Sequence, residues 1–172
     1  MVIMGIDPGL NATGYGIIQA SPSILQVLTA GHLRPPRARP LGERLAFLYA
    51  ELGTLIERYH PQNIVLEMVF THHNYVATAA LMAHARGVAC LIAQEHGVAL
   101  SEYPPARVKK SLTGNGAASK KQVARMVAQW LQHTDASWSA DATDALALAI
   151  AHAHTGAQRQ VLPLSGVIAR IR

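Results

Sequence analysis

A single glutamate interrupts an otherwise apolar run, Ile64-Val65-Leu66-Glu67-Met68-Val69-Phe70, that follows Pro61. A run of this length and composition is typical of a strand in the interior of a sheet, covered on both faces. A carboxylate in such a strand costs several kcal/mol of desolvation unless it is paired or bound to a cation. The alternative is an exposed position on an edge strand or at a strand end. The run therefore predicts a sheet with a buried centre and makes Glu67 a candidate functional residue.

The segments around this run predict an α/β fold. Three apolar runs precede it, separated by short turns, and they predict an antiparallel meander of strands. Apolar residues spaced by three and four predict an amphipathic helix between the meander and the run. The order of elements suits a mixed sheet with helices on both faces. The predicted strands are Val2–Asp7, Tyr15–Ala20, Ile24–Leu33, Ile64–Phe70 and Val98–Tyr103, and the predicted helices cover 41–59, 74–96, 106–112, 119–132 and 141–154.

The length of 172 residues suits one domain over residues 1–155, followed by a flexible tail over 156–172. The single cysteine, Cys90, cannot form an intramolecular disulfide, which suits a reducing compartment. The N-terminal residues lack the basic start of a signal peptide, and no uninterrupted run of ~18 apolar residues could span a membrane. We therefore expect a soluble, cytoplasmic protein.

The lysines are concentrated in one part of the chain. The sequence has 15 Lys and Arg against 10 Asp and Glu, a net charge of +5. Such a balance favours binding to phosphate backbones through counterion release, without regard to base sequence. The four lysines fall in two pairs, Lys109-Lys110 and Lys120-Lys121, with Arg125 close behind the second pair. This segment is the predicted nucleic-acid contact.

Three of the four aspartates lie at the ends of predicted elements. Asp7 ends the first strand, where ligands of open α/β sheets gather, although it could simply begin the Pro-Gly turn that follows. Asp141 and Asp144 stand three apart at the start of a helix, so both project from one face. Acids at that end of a helix also interact favourably with its dipole without any further role.

Together with Glu67, these aspartates predict a site for hard divalent cations. Mg²⁺ prefers oxygen ligands, and two ions about 4 Å apart need several carboxylates around them. No Cys/His spacing indicates zinc, and no motif indicates a protein nucleophile. The expected chemistry is two-metal hydrolysis of a phosphodiester by Mg²⁺, with Mn²⁺ as a substitute. The predicted metal-binding and catalytic residues are Asp7, Glu67, Asp141 and Asp144.

Four motifs stand in order along the chain: Gly5-Ile6-Asp7-Pro8-Gly9 with Thr13-Gly14-Tyr15-Gly16, Glu67-Met68-Val69-Phe70, Ala85-Arg86-Gly87-Val88, and Asp141-Ala142-Thr143-Asp144-Ala145-Leu146-Ala147. They resemble those of the RuvC-type Holliday junction resolvases, and the match covers most of residues 2–154. The resemblance implies an RNase H-like fold with a five-stranded mixed sheet and a two-fold homodimer. It also implies Mg²⁺-dependent, paired cleavage of four-way junction DNA beside the RuvA–RuvB branch-migration motor.

The resemblance assigns the same four carboxylates to metal binding and catalysis. It implies that Phe70 stacks on bases near the crossover, with a core aromatic as the alternative. Lys109 and Lys120 match family lysines that contact the DNA backbone, and the patch extends to Lys110, Lys121 and Arg125. Two departures concern DNA contacts: Met68 replaces the family's usual glutamine, and His72-His73 stands where the family often has a lysine.

Three alternatives remain open at this point. An ATPase of the actin, Hsp70 or sugar-kinase type also has a Gly-Ile-Asp-x-Gly turn, but it uses two domains and this chain has room for one. A non-catalytic junction-binding module would not need an acid inside the Ile64–Phe70 run. An RNase H-type nuclease acting on RNA–DNA hybrids would share the carboxylates, and only the lysine pairs and Phe70 favour junction DNA. For the homodimer, the small residues of the helix over 74–96 would permit close approach of two copies, and an internal core helix explains them equally well.

Overall fold

A computed structural model of the chain describes residues 1–22, 24–68, 76–133 and 138–155. The predicted α/β fold is confirmed, and the first helix has the predicted bounds. The predicted tail over 156–172 and Phe70 lie outside the described residues. The strands are β1 (Val2–Asp7), β2 (Thr13–Ala20), β3 (Leu25–Leu33), β4 (Asn63–Glu67) and β5 (Ala99–Tyr103), and the helices are α1 (Leu41–Tyr59), α2 (Val76–Glu95), α3 (Pro105–Thr113), α4 (Lys120–Trp130) and α5 (Ala140–His154).

The five strands form one mixed sheet in the order β3-β2-β1-β4-β5. β1, β2 and β3 are the predicted antiparallel meander, whereas β1, β4 and β5 run parallel. β1 is therefore the central strand. The carboxyl ends of three parallel strands meet at one edge of the sheet, which is where such sheets bind ligands.

Alternating side chains divide the core into two layers. On β4, Ile64 and Leu66 pack with α1 and α2, whereas Val65 packs on the other face with α3, α4 and α5. Glu67 is two residues beyond Val65 and so belongs to the face covered by α5. The same alternation on β1 puts Asp7 on that face, because Met4 and Ile6 belong to the layer of α1 and α2. Two acids thus end adjacent parallel strands on one side of the sheet.

Glycines on β1 and β2 let α5 lie unusually close to the sheet. A Cβ atom on Gly5 would come within 1.9 Å of the Ala145 carbonyl oxygen, and one on Gly16 within 2.7 Å of the Leu146 side chain. Such distances are far below ordinary contact, so a side chain at either position would displace the helix. The glycines quoted in the first motif therefore set the distance between the sheet and the start of α5.

β4 is shorter than predicted and ends at Glu67. Met68 lies beyond the strand with 36% of its surface exposed, although its backbone N–H still donates to the Tyr103 carbonyl at 2.9 Å. The neighbouring strands end before Pro8 and Pro104, and proline has no N–H to continue a ladder. Glu67 accordingly occupies the strand-end position that the sequence left as an alternative, and it is half-buried. Across the part of the chain described here, no helix is long and apolar enough to cross a membrane.

Candidate active site

Three of the four predicted acids meet in a cleft at the carboxyl ends of β1 and β4. Asp7 and Glu67 come from the sheet and Asp144 from the second turn of α5. The cleft has a volume of about 120 Å³, and Lys109 and Lys120 also line it. Asp141 does not line the cleft, but it lies one turn before Asp144 and its charge still acts on Asp7. The structure therefore brings all four acids into one electrostatic cluster.

Two groups outside the predicted set of acids hold the loop that follows Asp7 in place. The buried Thr13 hydroxyl donates to the Gly9 carbonyl at 2.8 Å and accepts from the Gly9 N–H at 3.3 Å. Arg44 of α1 donates to the Leu10 carbonyl at 2.8 Å. These contacts fix the turn immediately after Asp7. Thr13 had a signal, its place in the first motif, whereas Arg44 had none.

The start of α5 is fixed by its N-cap. The Ser139 hydroxyl accepts from the Ala142 N–H at 3.3 Å, and the Ser139 backbone carbonyl accepts from the Thr143 hydroxyl at 2.9 Å. His32 of β3 lies 3.2 Å from the same Ser139 hydroxyl, measured from its Nδ1 atom. N-capping satisfies backbone N–H groups that the first helical turn leaves without partners. The turn that carries Asp141 is thereby tied to the sheet.

The electrostatics of Asp7 indicate a site that lacks enough positive charge. Burial, followed by the negative charges of Asp144, Glu67 and Asp141, raises the pKa of Asp7 from its ordinary value of 3.8 to about 6. Lys120 lowers this pKa but does not cancel the rise. A carboxylate held this far above its ordinary pKa among like charges is typical of a functional site.

The negative charge of Asp144 raises the pKa values of both Glu67 and Lys120, which disfavours the ionised glutamate and favours the charged lysine. Burial, then the charge of Asp144, raises the pKa of Glu67, while Lys120 and Lys109 lower it. The Lys120 ammonium donates to Asp144 at 2.9 Å, and this hydrogen bond, with the Asp144 charge, raises the pKa of Lys120. A lysine therefore supplies part of the positive charge that the acids require.

The donor set fits a hard divalent cation. Carboxylate oxygens are the ligands that Mg²⁺ and Mn²⁺ prefer, and the pKa of Asp7 shows a cluster that added positive charge would relieve. Among the described residues, no three His, Cys, Asp or Glu side chains stand close enough together to form a ready-made cage. Asp144 is already paired with Lys120 at 2.9 Å, so a cation that enters the cleft would compete with this lysine.

The predicted basic residues divide into two groups. Lys109 on α3 and Lys120 at the start of α4 line the cleft. α4 begins at a capping box in which Ser119 and Gln122 each bond to the other's backbone, so the backbone position of Lys120 is well defined. Lys110, Lys121 and Arg125 are exposed on the same two helices outside the cleft lining. Phe70 lies outside the described residues, so its predicted stacking stays a prediction.

The comparisons with known proteins agree with this arrangement. Residues 3–152 match the family described as crossover junction endodeoxyribonuclease RuvC. A relative of that name from Alkaliphilus oremlandii is 44% identical over 156 residues, covering 91% of this chain and 94% of the relative. Another from Maricaulis maris is 44% identical over 152 residues, covering 88% of this chain and 90% of the relative.

Solved structures give the same fold. The Thermus thermophilus RuvC in complex with a Holliday junction substrate superposes with a TM-score of 0.81 at 28% identity, covering 90% of this chain and 94% of that one. The yeast mitochondrial Holliday junction resolvase Ydc2 has a TM-score of 0.61 at 14% identity, which shows the RNase H-like fold alone, over 88% of this chain and 78% of that one. With the family match over most of the chain, these findings show that the chain belongs to the RuvC family of crossover junction endodeoxyribonucleases.

Proposed function

We propose that this protein resolves four-way DNA junctions by paired, symmetric nicks, using Asp7, Glu67, Asp141 and Asp144 to hold two Mg²⁺ or Mn²⁺ ions. The observation that carries the proposal is the raised pKa of Asp7 in a cleft shared with Glu67 and Asp144. The family match supports the substrate class. When bound, such ions make water a stronger nucleophile and offset charge on the leaving 3′ oxygen.

The protein's own groups would hold the phosphate and keep the acids in place. Asp7 is the central ligand in this proposal, because Asp144, Glu67 and Asp141 all act on its pKa. Lys109 and Lys120 bring positive charge to the cleft, which reduces the repulsion between the acids and a DNA phosphate. The exposed residues Lys110, Lys121 and Arg125 would continue this contact along the backbone.

A two-fold homodimer would place two such clefts on the two equivalent strands of a junction. The α2 helix supports this part of the proposal, because Leu81 and Leu91 on it are 41% and 52% exposed. Replacing both leucines with glutamate should yield a monomer by size-exclusion chromatography with light scattering, and a monomer should nick one strand without its partner. The proposed RuvA–RuvB partnership rests on the family resemblance alone.

The test uses an end-labelled four-way junction and a linear duplex of matched sequence, each with Mg²⁺, Mn²⁺ or EDTA. We expect paired nicks at symmetric positions in the junction only, in either metal and not in EDTA. An Asp7→Asn variant should not nick, and Glu43→Gln is its matched control for the loss of one negative charge. Glu43 is exposed on α1 and, within the described part of the chain, pairs with Arg39 alone, at 3.5 Å. Tight junction binding without nicks in either metal would contradict the enzymatic proposal and leave a junction-binding protein.

A further inference from the structure

The backbone of Glu67 is contacted from the opposite side of the sheet. Arg86 lies on α2, whose buried residues Ala85 and Ala89 pack in the layer away from α5. One guanidinium nitrogen of Arg86 donates to the Glu67 carbonyl oxygen at 2.7 Å. The side chain of Glu67 belongs to the α5 face, so one residue connects the cleft to the helix behind the sheet.

The second arm of Arg86 forms an ion pair with Glu102 of β5. Glu102 lies opposite Leu66 in the parallel register, one residue before the level of Glu67. A planar guanidinium can hold two acceptors at once in a fixed geometry, which an ammonium group cannot. Arg86 is thereby fixed to β5 while it binds the last residue of β4.

The sheet holds the end of β4 from one side only, because β5 still pairs with Glu67 at Tyr103 whereas β1 does not reach it. The register between β1 and β4 ends at Ile6 and Leu66, and Pro8 has no N–H that could reach the Glu67 carbonyl. The interior of a strand does not need such a bond, because the ladder supplies it. At Glu67 the Arg86 guanidinium supplies the hydrogen bond to the carbonyl oxygen that a neighbouring strand would otherwise donate.

We propose that Arg86 is a positioning residue that holds the Glu67 carboxylate in the metal cluster through the Glu67 main chain and Glu102. The proposal rests on the proposed function of Glu67 as a metal ligand. Groups that orient ligands from behind are typically worth 10–100-fold in metal affinity or activity. The competing role for an arginine here is a DNA phosphate contact. The side chain of Arg86 is only 16% exposed, against 83% for Lys120, and this burial favours positioning.

The test measures Mn²⁺ binding to the full chain without DNA, from the electron paramagnetic resonance signal of free Mn²⁺. We expect Arg86→Met to weaken Mn²⁺ binding by about 10-fold. Arg86→Lys should have an intermediate effect, and Glu102→Gln a smaller one, because the bond to the Glu67 carbonyl remains. Arg58→Met is the matched control, since Arg58 is five residues before β4 and stacks on Tyr59. Its Mn²⁺ binding should equal that of the unaltered chain.

Junction affinity in EDTA separates the two roles of Arg86. Positioning predicts unchanged junction affinity in all these variants, whereas weaker junction binding with normal Mn²⁺ binding would overturn the proposal in favour of a phosphate contact. If thermal unfolding shows that Arg86→Met does not fold, Arg86→Lys and Glu102→Gln replace it in the test. Normal Mn²⁺ binding in both of these variants would also overturn the positioning proposal. A Glu67→Gln variant distinguishes a failure of the proposed function from a failure of the positioning role alone. If that variant keeps Mn²⁺ binding and cutting, the proposed function itself fails, whereas if it loses both and the Arg86 variants lose neither, only the positioning role fails.

Discussion

Gly14 tests how closely the start of α5 must approach the sheet for the cluster to work. Gly14 of β2 pairs with Asp7 of β1, and a Cβ atom there would lie 2.0 Å from the Asp141 carbonyl oxygen. Ordinary contact begins at 3.4 Å, so Gly14→Ala must move the first turn of α5 away by about 1.4 Å. A backbone carbonyl cannot rotate aside as a long side chain could. The displacement therefore acts directly on Asp141 and on the turn that carries Asp144.

A misplacement of about 1 Å in a catalytic group is worth on the order of 100-fold in rate. We therefore expect Gly14→Ala to cut a junction about 100-fold more slowly under single-turnover conditions. Overpacking of this kind also lowers the free energy of unfolding by about 1–3 kcal/mol. Junction affinity in EDTA should stay unchanged, because the lysines that line the cleft belong to α3 and α4.

The matched control is Gly42→Ala in the first turn of α1. A Cβ atom at Gly42 meets nothing within 4 Å, so alanine should leave the cutting rate unchanged and raise the free energy of unfolding by about 0.5–1 kcal/mol. A folded Gly14→Ala protein that cuts at the rate of the unaltered chain would refute the requirement for close approach. Equal losses in both variants would point to a general effect of glycine replacement.

Three further predictions concern charge and the loop after Asp7. The pKa of Asp7 in the folded protein is about 6, above the ordinary 3.8. The free energy of unfolding therefore falls as pH rises from 3.8 to 6, because Asp7 ionises less readily in the folded state than in the unfolded state. Asp7→Asn should therefore raise the melting temperature in EDTA at pH 7.5, with the gain shrinking by pH 5, and a gain equal at both values would contradict this origin. Lys120→Met should strengthen Mn²⁺ binding without DNA, because the lysine that competes for Asp144 is gone. It should also reduce the slope of log junction affinity against log salt concentration by about 1. Lys110→Met should change only this salt slope. Thr13→Val should lower the free energy of unfolding by about 1–3 kcal/mol and weaken Mn²⁺ binding, measured by chemical denaturation and by calorimetry, because it leaves the Gly9 carbonyl without its donor.

The features that depend on local periodicity, which are the helix bounds and the order of elements, could be predicted from the sequence. The bounds of α1 follow from its apolar spacing, and the α/β order follows from the elements on either side of it. The family resemblance carried most of the assignment of the four acids. Residue alternation then explains why Asp7 and Glu67 share a face once β1 and β4 are known to be parallel neighbours.

The features that the sequence could not supply depend on partners distant in the chain. β4 ends at Glu67 because its neighbours stop before Pro8 and Pro104, and neither proline belongs to the apolar run itself. The contact of Arg86 with Glu67 joins residues 19 apart in the chain. The lysine pair at 120 and 121 predicted a DNA contact, but the ion pair of Lys120 with Asp144 became visible only in three dimensions.

The central claim is that one carboxylate cluster cuts the junction while other groups bind it. The most direct measurement compares junction affinity in EDTA with single-turnover cutting in Mg²⁺ for four amide variants, prepared and assayed alongside the unaltered chain. We predict that each variant binds the junction at least as tightly, because negative charge is removed near phosphates, and that each loses nearly all cutting. Cutting at an undiminished rate in Asp7→Asn or Glu67→Gln would contradict the claim. The four variants are Asp7→Asn, Glu67→Gln, Asp141→Asn and Asp144→Asn.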